Sequence, residues 1–142
     1  MKFVLESQIK LLSVNEAYAT IKSGRRIKSN EYKNFTTTIL MLMRSHRNAY
    51  RAFELAFNPK VHEIFATLER GTPAFYTNAG TISRISGDVP NYEKCLTDCV
   101  MIGQIDDSAI TEWRMRKFPA SKHCFRFTLE IRERPPKPDW WK

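Results

Sequence analysis

His123-Cys124-Phe125-Arg126-Phe127-Thr128-Leu129-Glu130-Ile131-Arg132 alternates without interruption. His123, Phe125, Phe127, Leu129 and Ile131 share one parity, and Cys124, Arg126, Thr128, Glu130 and Arg132 the other. Successive side chains of a strand turn to opposite faces, so the stretch predicts a strand with one buried and one wet face. Three further strands read less clearly. Phe3, Leu5, Ile9 and Leu11 alternate with Glu6, Gln8 and Lys10; Val61–Leu68 is a β-rich run; and Asp106-Asp107-Ser108 opens a strand running toward Phe118.

The cover for such a sheet comes from two helical stretches. After Ser29, a good N-cap, apolar residues recur at Tyr32, Phe35, Ile39, Leu42, Met43, Tyr50, Phe53 and Phe57, which predicts one long helix ended by Pro59. These residues follow one stripe, so they read as core and not as a base-stacking platform. Pro90–Ile102 predicts a second, shorter helix with an acidic start at Asp88. Ile21–Lys28 reads as a hairpin tip in which Gly24 takes positive φ, and Gly71, Pro73, Asn78, Gly80 and Gly87 punctuate a long loop. The order predicts an α+β fold: a mixed β-sheet with a long and a short helix packed on it, one domain over residues 1–133. Residues 134–142 carry Pro135, Pro136 and Pro138, which lack the donor N–H of a central strand, so an extended tail is expected there.

Composition bounds what the domain does. The 142 residues are 42% hydrophobic and 27% charged, ordinary globular usage that excludes a disordered or collagen-like chain. A chain this long buries about 68% of its unfolded surface and needs no disulfide or structural metal. No apolar run approaches the ~18 residues of a membrane span, and Glu6 comes too early for a secretory signal, so a cytoplasmic protein without a membrane partner is expected. Cys95, Cys99 and Cys124 form no C-x-x-C and have no histidine at zinc-finger spacing; Cys95 and Cys99, one turn apart, read as core residues in a reducing compartment. The 23 Lys+Arg against 15 Asp+Glu leave a net charge of +8, which favours nucleic acid as partner. Arg25, Arg26 and Lys28 make the hairpin tip the densest basic cluster. Lys33, Asn15 and Asn91 join them as candidate DNA contacts.

Two acidic groups flank the short helix. Asp88 precedes it, Asp106-Asp107 follow it, and Lys94 lies about one and a half turns past Asp88. Carboxylates of Asp88 and Asp107, with Asp106 beside them, would suit Mg²⁺, a hard cation that takes oxygen ligands and keeps several waters. Lys94 would then neutralise charge on a scissile phosphate. Spacing alone leaves plainer readings open, and for these residues favours them: Asp88 as an N-cap with Pro90 in the first turn, Asp106-Asp107 as a turn pair, and Lys94-Asp98 as a surface i, i+4 pair. His46, His62 and His123 have no nucleophile at a readable spacing. No Gly-x-Ser-x-Gly or Walker pattern occurs, which argues against triad chemistry and a nucleotide cofactor.

Three blocks together resemble the RusA family of Holliday junction resolvases: Ser13-Val14-Asn15-Glu16-Ala17-Tyr18, Gly24-Arg25-Arg26-Ile27-Lys28-Ser29, and Asp88 through Asp107. The family motif reads Asp-x-Asp-Asn-x-x-Lys, then a helix, then Asp-Asp at the next strand; Asp88, Asn91, Lys94 and Asp106-Asp107 match it. The resemblance implies a RusA-like fold, a homodimer, branched DNA as substrate, Mg²⁺ (or Mn²⁺) held by Asp88 and Asp107, and Lys94 as the essential lysine. One position departs: Pro90 stands where the family has its second aspartate, and Asp106, Asp98, Glu63 and Glu69 are the carboxylates that could compensate. A binding protein of the same fold with a non-cleaving metal site is the alternative that Pro90 favours.

Overall fold

The computed structural model describes residues 1–20, 22–87 and 89–141. The alternating stretch forms β6 (Cys124–Glu133), which pairs antiparallel with β1 (Lys2–Ser7) on one side and with β4 (His62–Thr72) on the other. β4 also pairs with β5 (Ile110–Pro119), this time in parallel, so the four-stranded sheet is mixed in the order β1-β6-β4-β5. Register places Leu5, Phe127 and Leu68 in one row and Phe3, Leu129 and Ala66 in the next, all fully or nearly fully buried. The opposite face is wet. There Glu6 pairs with Arg126 at 2.9 Å, Arg132 pairs with Glu112 at 3.4 Å, and the Arg132 guanidinium lies 4.0 Å from the Phe65 ring centre.

Helices cover the apolar rows. Ser13 caps a short helix α1 (Val14–Ala17), which leads into a two-stranded hairpin of β2 (Tyr18–Thr20) and β3 (Arg26–Lys28). Gly24 at its tip has φ +82°, as the turn requires. Ser29 then caps α2 (Asn30–Ser45), its hydroxyl accepting from Tyr32 N at 3.1 Å.

The single long helix expected from the apolar stripe is two: α2 stops at Ser45, and α3 (Arg47–Ala56) starts after His46. The break has a local cause. Ser45 Oγ donates to Leu42 O at 2.7 Å and His46 Nδ1 lies 3.0 Å from the same carbonyl, while the His46 N–H bonds to Met43 O. Side chains have taken the acceptor that a continuing helix reserves for its backbone. The stripe nevertheless survives the break, with Tyr32, Phe35, Ile39, Tyr50 and Phe53 buried and Leu42, Met43 and Phe57 at its edge.

Other boundaries moved for equally plain reasons. β1 ends at Ser7 and not near Leu11, because its partner β6 begins at Cys124 and leaves nothing further to pair with. The helix expected over Pro90–Ile102 is a 3₁₀ turn (Val89–Tyr92) followed by α4 (Glu93–Val100), and β5 is preceded by a 3₁₀ turn (Asp107–Ala109). The long loop is partly organised by a Tyr76–Ile82 bridge. Cys95 and Cys99 are free and buried on α4, and burial pushes the Cys95 thiol up to about 11, so they are packing residues. No helix among the described residues is long and apolar enough to cross a membrane.

Because β6 is central to the sheet, Phe127→Ala is expected to cost about 3–5 kcal/mol by opening a cavity between sheet and helices. Urea denaturation followed by circular dichroism measures it.

Candidate active site

α4 packs Cys95, Leu96, Cys99 and Val100 into the core. The 3.6-residue period therefore leaves Lys94 and Asp98 together on its outer side. The turn before β5 brings Asp107 to the same place. Lys94 Nζ lies 3.1 Å from Asp98 Oδ1 and 3.5 Å from Asp107 Oδ2, so one ammonium bridges two carboxylates that are distant in sequence. The lysine side chain keeps 55% of its surface exposed, which leaves the bridge open to a ligand. Its hydrogen bond and charge interaction with Asp98 hold Lys94 above the usual lysine pKa, and Asp107 adds to this.

Asp106, Asp107 and Asp98 line one cleft together with the segment Ile102–Ile105. Asp106 caps its turn, accepting from Ser108 N at 2.8 Å, and these bonds hold its carboxyl below the ordinary range. The turn reading of Asp106 thus holds, with one oxygen engaged. Asp88 lies outside the described residues. Of the carboxylates available in place of a second motif aspartate, Asp98 and Asp106 reach the cleft. Glu63 instead accepts from Thr111 Oγ1 at 2.6 Å, and Glu69 stands on the sheet's wet face, opposite Arg126 in the pairing.

Among the described residues no three His, Cys, Asp or Glu side chains gather closely enough to hold a metal ion. The donor chemistry still fits Mg²⁺ or Mn²⁺: carboxylates open to water, with neither thiol nor imidazole lining the cleft. Among the described residues, Asp107, Asp98 and Asp106 are the carboxylates that would face such an ion.

Two cations fix the approach to this motif, and neither stood out from sequence. Arg70, 4% exposed on the covered face of β4, donates from Nη2 to Ser86 O and stacks 3.9 Å from the Tyr92 ring centre. Lys117, its register neighbour on β5, donates to Ser86 Oγ and Gly87 O, each at 2.8 Å. Burial lowers the Arg70 pKa, although the guanidinium stays charged near neutrality. The signal was present: Arg70 occupies the parity of Ile64, Ala66 and Leu68, where a charge needs a reason. Gly87, at φ +76°, passes so close to Tyr92 that a Cβ would stand 2.7 Å from the ring.

The expected DNA contacts are spread around this centre. Arg25 is exposed at the hairpin tip, and Asn15 and Lys33 are exposed on α1 and α2. The Arg26 guanidinium lies 5.1 Å from the Tyr18 ring centre. Lys28 lies equally near Tyr32, whose hydroxyl is pushed well up by burial and by the neighbouring Cys95 and Asp98. Asn91 is half-buried in the turn before α4, and Pro90 is exposed beside it. None of these residues lines the cleft with Asp98 and Asp107.

Compared with protein-family models and with curated proteins, the chain matches none.

The bridge is testable without any substrate. Asp98→Asn removes the larger of the two influences on Lys94, so the lysine pKa is expected to fall toward its ordinary value, as read by NMR titration of the side-chain amine. The sign follows from linkage. A lysine raised on folding contributes stability that is fully present below its unfolded pKa and lost as pH rises through the folded one, so Asp98→Asn removes a contribution present at neutral pH.

Proposed function

We propose that this chain is a Mg²⁺-dependent, structure-selective endodeoxyribonuclease of the RusA kind. It would cut branched DNA as a homodimer in the cytoplasm, with Mn²⁺ able to replace Mg²⁺. The observation that carries the reading is that Lys94 and Asp107, two positions of the motif, meet as an ion pair beside an open cleft, with Asp98 on the same ammonium. A four-way junction is resolved by paired cuts in opposed strands, which two copies of one site about a twofold axis would supply.

The roles of the side chains follow from charge. Pairing keeps Lys94 protonated well above neutral pH, so it acts as an electrostatic stabiliser of the phosphate and not as a base. Asp107 and Asp98 hold its amine in place until the phosphate arrives. Arg25, Arg26 and Lys28 neutralise phosphates away from the cut, while Arg70 and Lys117 fix the backbone entering the motif. A bound Mg²⁺ would supply polarisation of the phosphoryl oxygens and a lowered pKa for the attacking water.

Pro90 favours a second reading, a protein that grips junctions without cutting them, because no carboxylate stands at that position. A synthetic four-way junction incubated with and without Mg²⁺ separates the two, and gel shift checks binding in both.

For the nuclease, Asp107→Asn and Asp88→Asn are each expected to lower cleavage by about 10²-fold or more while junction affinity stays within a few-fold. Lys94→Ala lowers the cleavage rate far more than affinity, as measured in single-turnover assays. Pro90→Asp cuts at lower Mg²⁺ than the natural chain; unchanged metal dependence would mean that the site is not short of a ligand.

The hairpin has its own expected signature. Removing the charges of Arg25, Arg26 and Lys28 together weakens binding to branched DNA of any sequence. It also flattens the slope of log affinity against log salt by about 0.9 for each phosphate no longer neutralised on duplex arms. An unchanged slope would place the DNA surface elsewhere.

A further inference from the structure

The cleft holding Asp98 and Asp107 is one part of a longer depression. At one end it shares Ile102 and Gly103 with a groove of about 810 Å³ beneath the α2–α3 break. At the other it shares Gln104, Ile105 and Asp106 with a hollow that shares Ser108, Ala109 and Arg134 in turn with the base of the tail. The two ends differ in chemistry. Arg44, Arg47 and Arg51 rim the first, recurring at near-helical spacing over on the order of 10 Å. None of the three pairs with a carboxylate among the described residues. The groove is also lined by Tyr50, whose buried hydroxyl has no hydrogen-bond partner among the described residues.

At the second end lie Trp140 and Trp141, 82% and 64% exposed, their rings edge to face at 5.9 Å. The tail that carries them is anchored. Arg134 donates from N to Val61 O at 3.0 Å, from Nε to His62 O at 3.1 Å and from Nη2 to Pro59 O at 2.5 Å. Three prolines stiffen the next four residues. Two indoles thus stand at the far end of the depression, one hollow beyond the acidic cleft, with their surfaces left open.

We propose that this depression is the path of an unpaired DNA strand: phosphates on Arg44, Arg47 and Arg51, the backbone passing Lys94 and Asp107, and a base stacked on Trp140 or Trp141. The inference rests on the nuclease reading and deepens it, because flaps, forks and a junction opened at its centre expose unpaired nucleotides. Charge complementarity and open aromatic faces select this occupant, since stacking tolerates any base and guanidinium groups take the phosphates. Glu54 lies in the path against Gly103 and Gln104, where its carboxylate accepts from Gln104 N at 2.6 Å, so the strand passes over a carboxylate already engaged by the backbone.

The test uses the full chain and a short fluorescent single-stranded oligodeoxynucleotide in EDTA, so no cutting occurs. Trp140→Ala with Trp141→Ala is expected to weaken binding by about five-fold or more and to abolish quenching of tryptophan fluorescence by the oligonucleotide, and the double Phe variant restores most of the affinity. Removing the charges of Arg44, Arg47 and Arg51 flattens the salt slope by about 2, near 0.7 for each phosphate on a single strand. A response to only one of the two sets breaks the continuous path and overturns the proposal. So does a tryptophan variant that loses self-association while its oligonucleotide affinity is unchanged, which would make the indoles a contact between copies of the chain. Failure of the natural chain to cut a four-way junction in Mg²⁺ or Mn²⁺ would instead overturn the nuclease reading, whatever the oligonucleotide does.

Discussion

Parallel pairing of β4 with β5 is the constraint from which the rest of the molecule follows. Antiparallel neighbours can be joined by a tight turn, but a parallel pair forces the chain to travel back along the sheet before it can start the second strand. Here that crossover runs from Thr72 to Ile110 and contains the ordered loop, the turn before α4, α4 itself and the capped turn at Asp107. Every residue of the acidic motif therefore sits on one connection, which leaves the far end of β4 at Thr72 and returns along the sheet to the start of β5 at Ile110. α4 packs an apolar stripe onto the sheet, so its polar stripe, Lys94 and Asp98, comes to stand at the mouth formed by the start of β5.

Burial divides the charges into two kinds. Lys94, Asp98 and Asp107 are solvated, and ion pairs of that type contribute about 0–1 kcal/mol, so their geometry is weak as a source of stability and available for exchange with a ligand. Arg70 is the reverse case. Removing a guanidinium from water is costly, and the compensation comes from a backbone carbonyl and the face of Tyr92, with no carboxylate in ion-pair contact among the described residues. A substitution by an apolar residue of similar volume would relieve that cost but would also release Ser86 O. The arrangement makes the path of the chain into the motif depend on two cations, Arg70 and Lys117, which are side by side only because the strands are paired in parallel.

Much of this was legible along the chain. Strict alternation from His123 to Arg132 marks β6 and both of its faces, Gly24 marks the hairpin, and Ser29 marks the start of α2. What alternation cannot reveal is the partner of each strand, so the parallel β4–β5 pair and the convergence of Asp107 on Lys94 were beyond it. The break at His46 was hidden for another reason: Ser45 and His46 compete for the Leu42 carbonyl without disturbing the apolar stripe. Of the site, the i, i+4 spacing of Lys94 and Asp98 already placed them on one face, and the spacing could not say that a third charge joins them. Arg70 was visible as a polar residue at a buried parity. Arg44, Arg47 and Arg51 drew no reading from the sequence, since only the fold sets them beside Ile102 and Gly103.

The distribution of charge gives the site a consequence of its own. A net charge of +8 would attract a polyanion whatever its sequence, over a range set by the Debye length of about 8 Å at physiological ionic strength. Inside that distance the field is local, and the cleft itself is acidic: Asp98, Asp106 and Asp107 line it, with Lys94 beside it paired to Asp98 and Asp107. A phosphate attracted by the hairpin and the α2–α3 arginines would thus meet repulsion at the one place where it has to bend closest to the protein. The repulsion ends only when positive charge enters the cleft. On the proposed reading, tight seating of a strand and occupation of the carboxylates by a divalent cation would be coupled by this arithmetic, each favouring the other, because the same three carboxylates repel the one and attract the other.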